Sequence, residues 1–564
     1  MKKKTVPVIL AVLILILIIG VIGIVSRVVE KYTPTDERVE SAEYFGVSGD
    51  GEMALVLQDQ LLEQKGILVD GIAYLNYEVV KEYLNDRFYW DANANLMVYT
   101  TPTDIIEAQA EEKSYSVSGD SQETDYVIVK ANGSQAYIAA DFVKQYTALD
   151  YEIYQEPARV VLTYRYGDVT RAEVKKKTVV RTLGGIKSPI LTDVSKGDKV
   201  TVLEQMEDWS KVVTHDGYIG YIRNKRLGSL YTETLTTDFR EPEYTGVQKD
   251  YKINMVWHQV TSQESNYSLL QDIAEVKGVN TISPTWFSII SNDGEISSLA
   301  NPDYVSAAHE QKLEVWALVD NFSTEIDTTT VLANTSSRRN LINQLMGAVI
   351  RYDLDGINID FEAIPEEAGD AYLQFLRELS VKCRKNGVVL SVDVPVPMDF
   401  NTHYHRKEQS EVVDYLIIMG YDEHYVGSDA GSVASLPFVK AGVENTLAAG
   451  VPAEKIVLGV PFYTRLWQTD SQGNVISNAY GMDTAEYLIS ENGATASWDE
   501  ETSQDYAEFT DGEGYFCQIW LENEASLEEK AKLIQEHGLG GVAAWKLGFE
   551  RSSVWDVLLK YTGN

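Results

Sequence analysis

The residues best suited to chemistry lie in one short segment, Asp355-Gly-Ile-Asn-Ile-Asp-Phe-Glu362. Successive side chains of a β-strand point to opposite faces, so Asn358, Asp360 and Glu362 would share one face and the apolar residues the other. Two carboxyl groups held close together away from water raise the pKa of at least one of them. The alternative is a strand end whose acids point into solvent. The segment therefore predicts a functional pair of carboxyl groups, which the rest of the chain must position.

The whole chain is long, acidic and poor in cysteine. Its 564 residues predict three or four domains, at about 150 residues each. The net charge of −37 argues against nucleic acid as a partner and gives no sign of a basic membrane-surface patch. Only Cys383 and Cys517 are present, so no disulfide framework holds the fold, and no His/Cys cluster has the spacing of a zinc site. We expect no metal and no cofactor.

The N-terminus carries a candidate membrane anchor. Lysines precede an uncharged apolar run over 6–26, which at about 1.5 Å per residue spans a hydrocarbon core of about 30 Å. A cleaved signal peptide would have a shorter apolar region and a small-x-small cleavage site, whereas this run ends in Ser26 and Arg27. We expect an uncleaved single-pass anchor, with residues 1–5 in the cytoplasm and a polar linker over 27–45 outside.

An internal repeat with a spacing of about 63 residues follows the linker. Ala73-Tyr74-Leu75 recurs as Ala136-Tyr137-Ile138, and a second match pairs Val79–Tyr83 with Phe142–Tyr146. Each copy runs into a strand-like segment, which predicts a duplicated strand, short helix and strand over 46–166. This unit resembles the duplicated module named after the N-terminal domain of copper amine oxidases, but no copper ligand set is visible. We expect a stalk or spacer.

Short β runs dominate residues 172–230. Several such runs separated by Gly and Asp turns predict a small barrel. The Lys-Gly-Asp-Lys-Val at 196–200, Trp209 before a strand, and the closing Gly217–Ile222 resemble a bacterial SH3-type domain. That family often binds cell-wall peptides, so the resemblance implies the cell wall as a partner, although the aromatic residues equally fit a core. A polar linker over 231–250 follows.

The largest unit, 251–564, alternates strand-like and helix-like segments. Eight strand-like runs occur, each followed by a segment such as the amphipathic Arg339–Tyr352. This α/β pattern predicts a (β/α)8 TIM barrel with insertions, in which chemistry collects at the C-terminal ends of the strands. The predicted strands are Ile253–His258, Thr281–Phe287, Glu314–Val319, Gly356–Phe361, Val388–Val394, Tyr415–Tyr421, Ile456–Tyr463 and Gly541–Leu547. The residues at strand ends are Glu362, Tyr421, Asp422, Tyr463 and Trp545.

Four ordered motifs in this unit resemble glycoside hydrolase family 18, the chitinase-like family. Asp355–Glu362 is similar to the catalytic signature of the family's fourth strand, and Met419–Asp422 to its sixth-strand motif. Gly459–Tyr463 and Gly540–Trp545 are similar to the seventh and eighth. Related enzymes carry an extra α+β insertion where this chain has residues 466–526.

The resemblance implies substrate-assisted catalysis with net retention. In that scheme the sugar's own 2-acetamido oxygen attacks C1 to give an oxazolinium intermediate, and no second carboxylate acts as nucleophile. Glu362 would be the general acid/base, its pKa raised by burial beside Asp360, which would orient the acetamido group. Tyr421 would donate a hydrogen bond to the acetamido oxygen, and Asp422 would hold sugar hydroxyls or Glu362. Trp545 would form the floor beneath the reacting sugar.

One position departs from the commonest pattern of the family. Many chitinases carry Asp where this chain has Asn358, and an amide there removes a like charge and favours an ionised Asp360. We therefore expect a single ionised partner for Glu362 and not a proton-sharing pair. Asn358 is also a predicted substrate-binding residue. The other predicted site residues are Tyr463 and Trp286 in substrate binding and Asp355 in support.

Asn358, together with the segments Pro284–Phe287 and Trp316–Asn321, resembles one branch of the family more closely than the others. That branch contains the spore-cortex-lytic peptidoglycan N-acetylglucosaminidases. The sequence therefore predicts a membrane-anchored, outward-facing glycosidase that cleaves β-1,4 bonds at N-acetylglucosamine in peptidoglycan. Two alternatives stay open. One is a chitinase or an endo-β-N-acetylglucosaminidase, and the other is a non-catalytic glycan-binding barrel, although lectin-like members of the family typically lose the acid that Glu362 supplies.

Overall fold

The computed structural model describes residues 5–49, 51–133 and 135–563, beginning with a long apolar helix. This N-terminal helix covers Thr5–Tyr32, and its apolar side chains from Val6 onward are exposed. Among the described residues it is the one helix long and apolar enough to cross a membrane. The predicted cytoplasmic tail lies outside the described residues except for Thr5, which begins the helix.

A duplicated α+β region follows, after the short helix Ser41–Phe45. In each sequence repeat a strand leads into a short helix and then a two-stranded hairpin, and the two copies meet where Ile72–Asn76 pairs antiparallel with Gln135–Ala139. The helical segments are Tyr77–Val79, Val80–Leu84 and Ala140–Gln145. The larger sheet contains Glu52–Val56, Leu61–Val69, Ile72–Asn76, Val129–Asn132, Gln135–Ala139, Asp150–Gln155 and Ala158–Thr163. The smaller sheet contains Phe88–Asp91, Leu96–Thr100, Ile105–Gln109, Ser114–Val117 and Asp120–Glu123.

The duplicated region lies against helices of the C-terminal barrel. Arg377, a buried residue of the barrel, donates to the Asp86 carboxylate at 2.6 Å. The backbone N–H of Thr335 donates to the Asp91 carboxylate at 2.7 Å. These contacts dock the region on the barrel, and its expected role as a stalk or spacer stays a prediction. The boundaries of this unit and its resemblance to the amine-oxidase module stay predictions.

A second β unit spans Gly167–Leu235. Its apolar core includes Val180, Val200, Val212 and Ile222. The sheet extends beyond the predicted 172–230 range because its first strand pairs with its last. The seven strands are Gly167–Glu173, Thr178–Arg181, Ile190–Val194, Lys199–Gln205, Trp209–Val213, Ile219–Arg223 and Tyr231–Leu235.

The C-terminal unit is a closed barrel of eight parallel strands. The strands are β1 (Ile253–His258), β2 (Thr281–Ile289), β3 (Glu314–Asp320), β4 (Gly356–Asp360), β5 (Val389–Pro395), β6 (Tyr415–Met419), β7 (Ile456–Pro461) and β8 (Gly541–Trp545). Neighbours along the chain pair in parallel, and β1 pairs with both β2 and β8, which closes the barrel. The TIM-barrel prediction is confirmed.

Helices cover the outside of the barrel. They are α1 (Leu269–Asp272), α2 (Pro302–Glu310), α3 (Thr335–Tyr352), α4 (Gly369–Asn386), α5 (Arg406–Val412), α6 (Leu436–Ala448), α7 (Glu524–His537) and α8 (Val554–Thr562). An additional short helix, Thr328–Ala333, precedes α3, and Ile296–Ser298 pairs with the end of β2.

Alternation along β4 separates the packing residues from the polar ones. Ile357 and Ile359 pack with the helices in the main apolar core. Asn358 and Asp360 therefore face the barrel interior. The first residue of β4, Gly356, has no side chain, so the Trp316 ring packs directly on its backbone. A Cβ at this position would lie 2.5 Å from the ring, which is too close.

An α+β insertion separates β7 from α7, close to the predicted 466–526 range. Leu466 and Ile519 belong to its own small core. Cys517 lies in this insertion and Cys383 on α4, and both are buried and free. The elements of the insertion are Tyr463–Thr469, Val475–Gly481, the helix Met482–Glu491, Ser497–Asp499, Gln504–Thr510 and Phe516–Leu521.

Candidate active site

The predicted carboxyl groups lie at the C-terminal mouth of the barrel. Asp360 is the last residue of β4, and Glu362 lies two residues beyond it. The chain turns sharply directly afterwards, because Ala363 has a φ of 50°, a left-handed conformation that costs free energy for a residue other than glycine. β4 is therefore one residue shorter than predicted, and Glu362 is carried on the turn.

The loop after β3 fixes the backbone of Glu362. The side-chain oxygen of Asn321 accepts from the Glu362 N–H at 2.9 Å, and the Asn321 amide donates to the Glu362 carbonyl at 3.0 Å. These two hydrogen bonds hold the backbone from both sides. The carboxyl group of Glu362 has no hydrogen-bond partner among the described residues and is exposed at the mouth. Glu362 is thus fixed at its backbone and accessible at its acid.

The surroundings of Glu362 favour its protonated form. The partly desolvated mouth raises its pKa, and the nearby charges of Asp422 and Asp320 raise it further. The direction agrees with the sequence prediction. Burial is the larger cause, as predicted, but the neighbouring acids that add to it come from β3 and from the loop after β6. Asp320, the last residue of β3, is itself buried, and burial raises its pKa.

Asp360 is nearly enclosed, with 6% of its surface exposed. Its Oδ1 atom is buried and has no hydrogen-bond donor among the described residues. Burial raises the pKa of Asp360 well above its ordinary value, and the charge of Asp393 on β5 raises it further. The adjacent strand thus supplies an acidic neighbour that the sequence analysis did not anticipate, while the expected single ionised partner for Glu362 stays a prediction.

Asn358 is not a substrate contact, which corrects the prediction. It has 0% exposure, and both ends of its amide are used inside the barrel. Its oxygen accepts from the Trp257 indole at 2.9 Å and from the Ser283 hydroxyl at 3.1 Å. Its nitrogen donates to the Ser391 hydroxyl at 3.1 Å and to Asp393 at 2.8 Å. Asn358 therefore orients groups beneath the site.

Aromatic side chains surround the two acids. The Tyr463 hydroxyl donates to the Asp422 carboxylate at 2.6 Å. The Tyr421 ring lies 6.3 Å from that of Tyr463 and 6.4 Å from that of Trp257, measured between ring centroids. Trp545, half-buried at the end of β8, lies 6.0 Å from Trp257. The structure thus brings these predicted residues together at one mouth. Asp422 adopts a φ of 57°, so the turn after β6 is strained like the one after β4.

Two other predicted residues lie outside the mouth. Trp286 is 1% exposed, and its indole donates to Asn266 at 2.8 Å, so it belongs to the core and offers no face to a sugar. This corrects its assignment to substrate binding. Asp355 lies just before β4, at the opposite end of the barrel, where it accepts from the Val315 N–H at 2.8 Å and pairs with His309. Asp355 therefore joins the N-terminal ends of β3 and β4 and does not contact the mouth.

A groove of about 520 Å³ opens from the site between the ends of β4, β5 and β6. Glu362 and Asp422 lie at its polar end. Phe400 is 81% exposed and Tyr425 57% exposed, and both rings line the groove. Apolar rings left this open to water next to carboxyl groups are suited to stacking on the faces of sugar rings. Sequence reasoning missed these two residues, because a lone aromatic residue in a loop has no periodicity to mark it.

Sequence reasoning also missed the roles of Asn321 and Asp393 at the site. Asp393 lies in the predicted strand Val388–Val394, which the structure has as Val389–Pro395. A charged residue inside such a run was a usable signal, because an unpaired charge in a barrel interior is costly unless it has a function or a partner. Asn321 ends the motif Trp316–Asn321, but an asparagine after a strand is common in turns, so the motif did not predict its contact with Glu362.

Comparison with known proteins decides the family. A sequence profile of glycosyl hydrolases family 18 matches residues 261–550, more than half of the chain. The chain is a member of glycoside hydrolase family 18. A profile of the bacterial SH3 domain matches residues 178–228, within the second β unit. The family and the SH3-type domain predicted from sequence motifs are both confirmed.

Curated relatives of this family 18 chain include two proteins of Bacillus subtilis. One, named as a sporulation-specific glycosylase, is 29% identical over 268 residues, which is 46% of this chain and 63% of the relative. The other, a cortical fragment-lytic enzyme, is 27% identical over 236 residues, which is 40% of this chain and 54% of the relative. The chain thus spans between half and two thirds of the length of these relatives.

Solved structures resemble the barrel of the family 18 chain. The chitinase of Chromobacterium violaceum superposes with a TM-score of 0.50 at 23% identity, covering 56% of this chain and 99% of that protein. The spore cortex-lytic enzyme SleL of Bacillus cereus superposes with a TM-score of 0.50 at 21% identity, covering 55% of this chain and 74% of SleL. At these identities the likeness supports the fold.

Proposed function

We propose that this family 18 protein is a retaining glycosidase that cleaves β-1,4 bonds at N-acetylglucosamine by substrate assistance. The observation that carries the proposal is the arrangement at the barrel mouth. An accessible carboxyl group with a raised pKa, Glu362, lies two residues beyond a nearly enclosed one, Asp360. Such a pair fits one group that donates a proton and a second that stabilises positive charge beside it.

Each step of the mechanism uses a group at this mouth. Glu362 gives its proton to the glycosidic oxygen while the acetamido oxygen of the substrate attacks C1, so that the bond from C1 to the leaving oxygen breaks. Asp360 accepts from the acetamido N–H and stabilises the positive charge of the oxazolinium ion. The Tyr421 hydroxyl donates to the acetamido oxygen, and Trp545 supports the sugar. In the second step a water molecule gives a proton to Glu362 and attacks C1, which opens the oxazolinium ring. Both displacements invert C1, so the product retains configuration.

We place the enzyme on the outside of the cell membrane, acting on peptidoglycan. The exposed apolar helix Thr5–Tyr32 supports a membrane anchor, since its length suits a bilayer. The SH3-type domain supports attachment to the cell wall. The names of the cortical fragment-lytic enzyme and the sporulation-specific glycosylase support a wall glycan as the substrate. Under this proposal the N-terminus is cytoplasmic and the barrel faces the wall.

A second candidate function is the hydrolysis of chitin-like oligosaccharides. The observation that favours it is the open groove with Phe400 and Tyr425, since aromatic-lined grooves suit uniform glycan chains without peptides. The Chromobacterium violaceum structure is named a chitinase. The peptidoglycan proposal is preferred because the anchor and the SH3-type domain both serve a wall-bound enzyme.

The experiment that tests the proposal is a parallel digest. Full-length protein in detergent is incubated with purified peptidoglycan and with chitin oligosaccharides, and new reducing ends are identified by mass spectrometry. New N-acetylglucosamine ends from peptidoglycan are the expected result. Cleavage of chitin alone would support the second candidate. No product from either, with retained binding, would contradict both and leave a glycan-binding barrel.

Replacing Phe400 by alanine is expected to reduce kcat/KM about 5–30-fold on long glycans. The ring is 81% exposed, so the loss comes from sugar contact and not from core packing. Covering such an aromatic ring stabilises a complex by about 1–2 kcal/mol. The measurement compares kcat/KM on a disaccharide glycoside and on a long oligosaccharide. Ile350→Ala, at an exposed position on α3, is the control and should change neither. An equal loss on both substrates would contradict stacking of a distant sugar.

A further inference from the structure

A carboxyl group on β5 adjoins the proposed catalytic pair. β4 and β5 run parallel in register, with Asn358 opposite Ser391 and Ile359 opposite Val392. The next pair in that register is Asp360 and Asp393. Side chains alternate along a strand, and Asp360 and Asp393 each lie two residues beyond the inward-facing pair Asn358 and Ser391. Both acids therefore point into the barrel. Neighbouring strands are about 4.8 Å apart, so the two carboxyl groups are side by side.

Both carboxyl groups are shielded from water. Asp393 is 1% exposed and Asp360 is 6% exposed. Two ionised carboxylates that close in a desolvated site repel strongly, whereas a pair that keeps one proton carries a single charge and an internal hydrogen bond. The buried Oδ1 of Asp360, which has no donor among the described residues, would gain one from a proton on Asp393.

Asn358 determines which oxygen of Asp393 is available. Its amide nitrogen donates to Asp393 Oδ1 at 2.8 Å, and its amide oxygen is already occupied by the Trp257 and Ser283 donors. The nitrogen is thus fixed as the donor toward Asp393. With Oδ1 taken by the amide, Oδ2 is the oxygen on which Asp393 would carry a proton, and the Trp257 indole is a second hydrogen-bond donor to this carboxyl group. Asn358 therefore orients Asp393 without adding a charge.

We propose that Asp393 is a positioning residue that shares one proton with Asp360 and so supplies the acid that many related enzymes carry at position 358. When substrate binds, Asp393 keeps the proton and donates to Asp360, which stays ionised toward the acetamido N–H. No proton leaves the pair in this step. The role rests on the proposed function of Asp360, but the sharing of the proton is a property of the free protein.

Other titratable groups act on the pair from neighbouring elements. They lie on β3, on the turns after β4 and β6, on α4 and in the loop after β5. Carboxyl groups there oppose full ionisation of the pair, and the tyrosines are neutral at physiological pH. These groups are Asp320, Glu362, Tyr421, Tyr372 and Tyr404.

The first test is the pH profile of kcat/KM for Asp393→Asn. An amide donates a weaker hydrogen bond than a carboxylic acid, so protonation of Asp360 becomes easier and the acid limb should move to higher pH. We expect kcat to fall about 10–100-fold, as for the loss of a charged hydrogen bond. Asp393→Leu, which has no donor, should move the limb further. An acid limb that stays at the wild-type pH in both variants would overturn the proposal.

Relocating the carboxyl group separates proton sharing from simple packing. The double variant Asn358→Asp/Asp393→Asn exchanges the acid and the amide. The amide at position 393 then donates to the carboxyl group at position 358, which reverses the wild-type hydrogen bond. The variant also returns an acid to the inward face of β4 beside Asp360. It should restore the acid limb toward that of the wild type. A double variant whose profile stays like that of Asp393→Asn would overturn the proposal.

The control is Asp414→Asn, a buried acid that accepts from Val247 and Leu390 at the other end of β5. It should lower thermal stability and leave the acid limb unmoved.

A titration of the free protein decides the question without any substrate. Aspartate labelled with 13C at the side-chain carboxyl is followed by NMR against pH in full-length protein in detergent. The pair should titrate in two coupled steps, and Asp393→Asn should leave Asp360 with a single step. A single-step titration of Asp360 in the wild type would overturn the proposal. If no glycan is cleaved while the two-step titration is found, the proposed function fails and the shared proton stands.

Discussion

Replacing Glu362 by glutamine is expected to reduce turnover by about 10²–10⁴-fold or more, because the amide cannot give a proton to the leaving oxygen. Glycan binding should remain, since glutamine has the same shape and the Asn321 hydrogen bonds hold the backbone and not the carboxyl group. The measurement is kcat from initial rates, with the Kd for an uncleaved oligosaccharide from calorimetry.

The control for Glu362→Gln is Glu366→Gln. Glu366 is exposed, lies four residues further along the same loop, and begins a short helical turn. Its change should leave kcat within about twofold of the wild type, as for an ordinary surface substitution. Retention of most activity by Glu362→Gln would remove Glu362 from the mechanism.

The pH profile adds a signed expectation for Glu362. Its pKa is raised by the desolvated mouth and by the charges of Asp422 and Asp320, so it keeps its proton to higher pH than an ordinary glutamate. The alkaline limb of kcat/KM should therefore lie above the ordinary range for glutamate. Asp320→Asn removes one of the charges that raise the pKa, so it should move that limb to lower pH. A limb that moves upward would contradict this electrostatic account.

Replacing Asp360 by asparagine is expected to lower kcat by about 10²–10³-fold, the size of effect found when one preorganised stabilising group is removed from a site. The nearly enclosed carboxylate is positioned to oppose the positive charge of the oxazolinium ion, and an enclosed charge acts more strongly than one in water. An amide has no charge to offer. We expect KM to change less than kcat, because the interaction is strongest in the transition state.

A substrate without the 2-acetamido group gives the matched test of this assignment. If Asp360 acts through that group, the wild type and Asp360→Asn should hydrolyse the altered substrate at nearly the same slow rate. The difference between them on the natural substrate would then measure the interaction, as in a double-mutant cycle. A variant that loses equally on both substrates would assign Asp360 to folding or to general binding instead.

Local patterns predicted the framework because its causes are local. The eight strands recur at regular spacing with apolar runs, and the period of two along Ile357–Asp360 correctly separated the packing face from the polar face. Strand ends were predicted less well. The strands β4, β6, β7 and β8 end one or two residues before the predicted points, because turns such as those at Ala363 and Asp422 require left-handed backbone that propensity does not reveal.

Aromatic residues were the least predictable part of the site. Trp286 and Phe400 are both aromatic residues near strand ends, yet one is 1% exposed and the other 81% exposed. A bulge between Thr285 and Phe287 changes the register of β2 where Trp286 lies. The burial of a ring depends on what packs over it, and that is a property of distant segments.

The sequence by itself determined the barrel, its family and the position of Glu362 and Asp360, because these depend on residue types at characteristic spacings within each strand and motif. Only the tertiary structure decided which acids surround them. Asp393 comes from β5, and its position beside Asp360 follows from the register between two strands. Asp360 and Asp393 are far apart in sequence and are brought together only by the pairing of their strands. The spacing of residues along the chain therefore cannot predict which carboxyl groups shift one another's pKa.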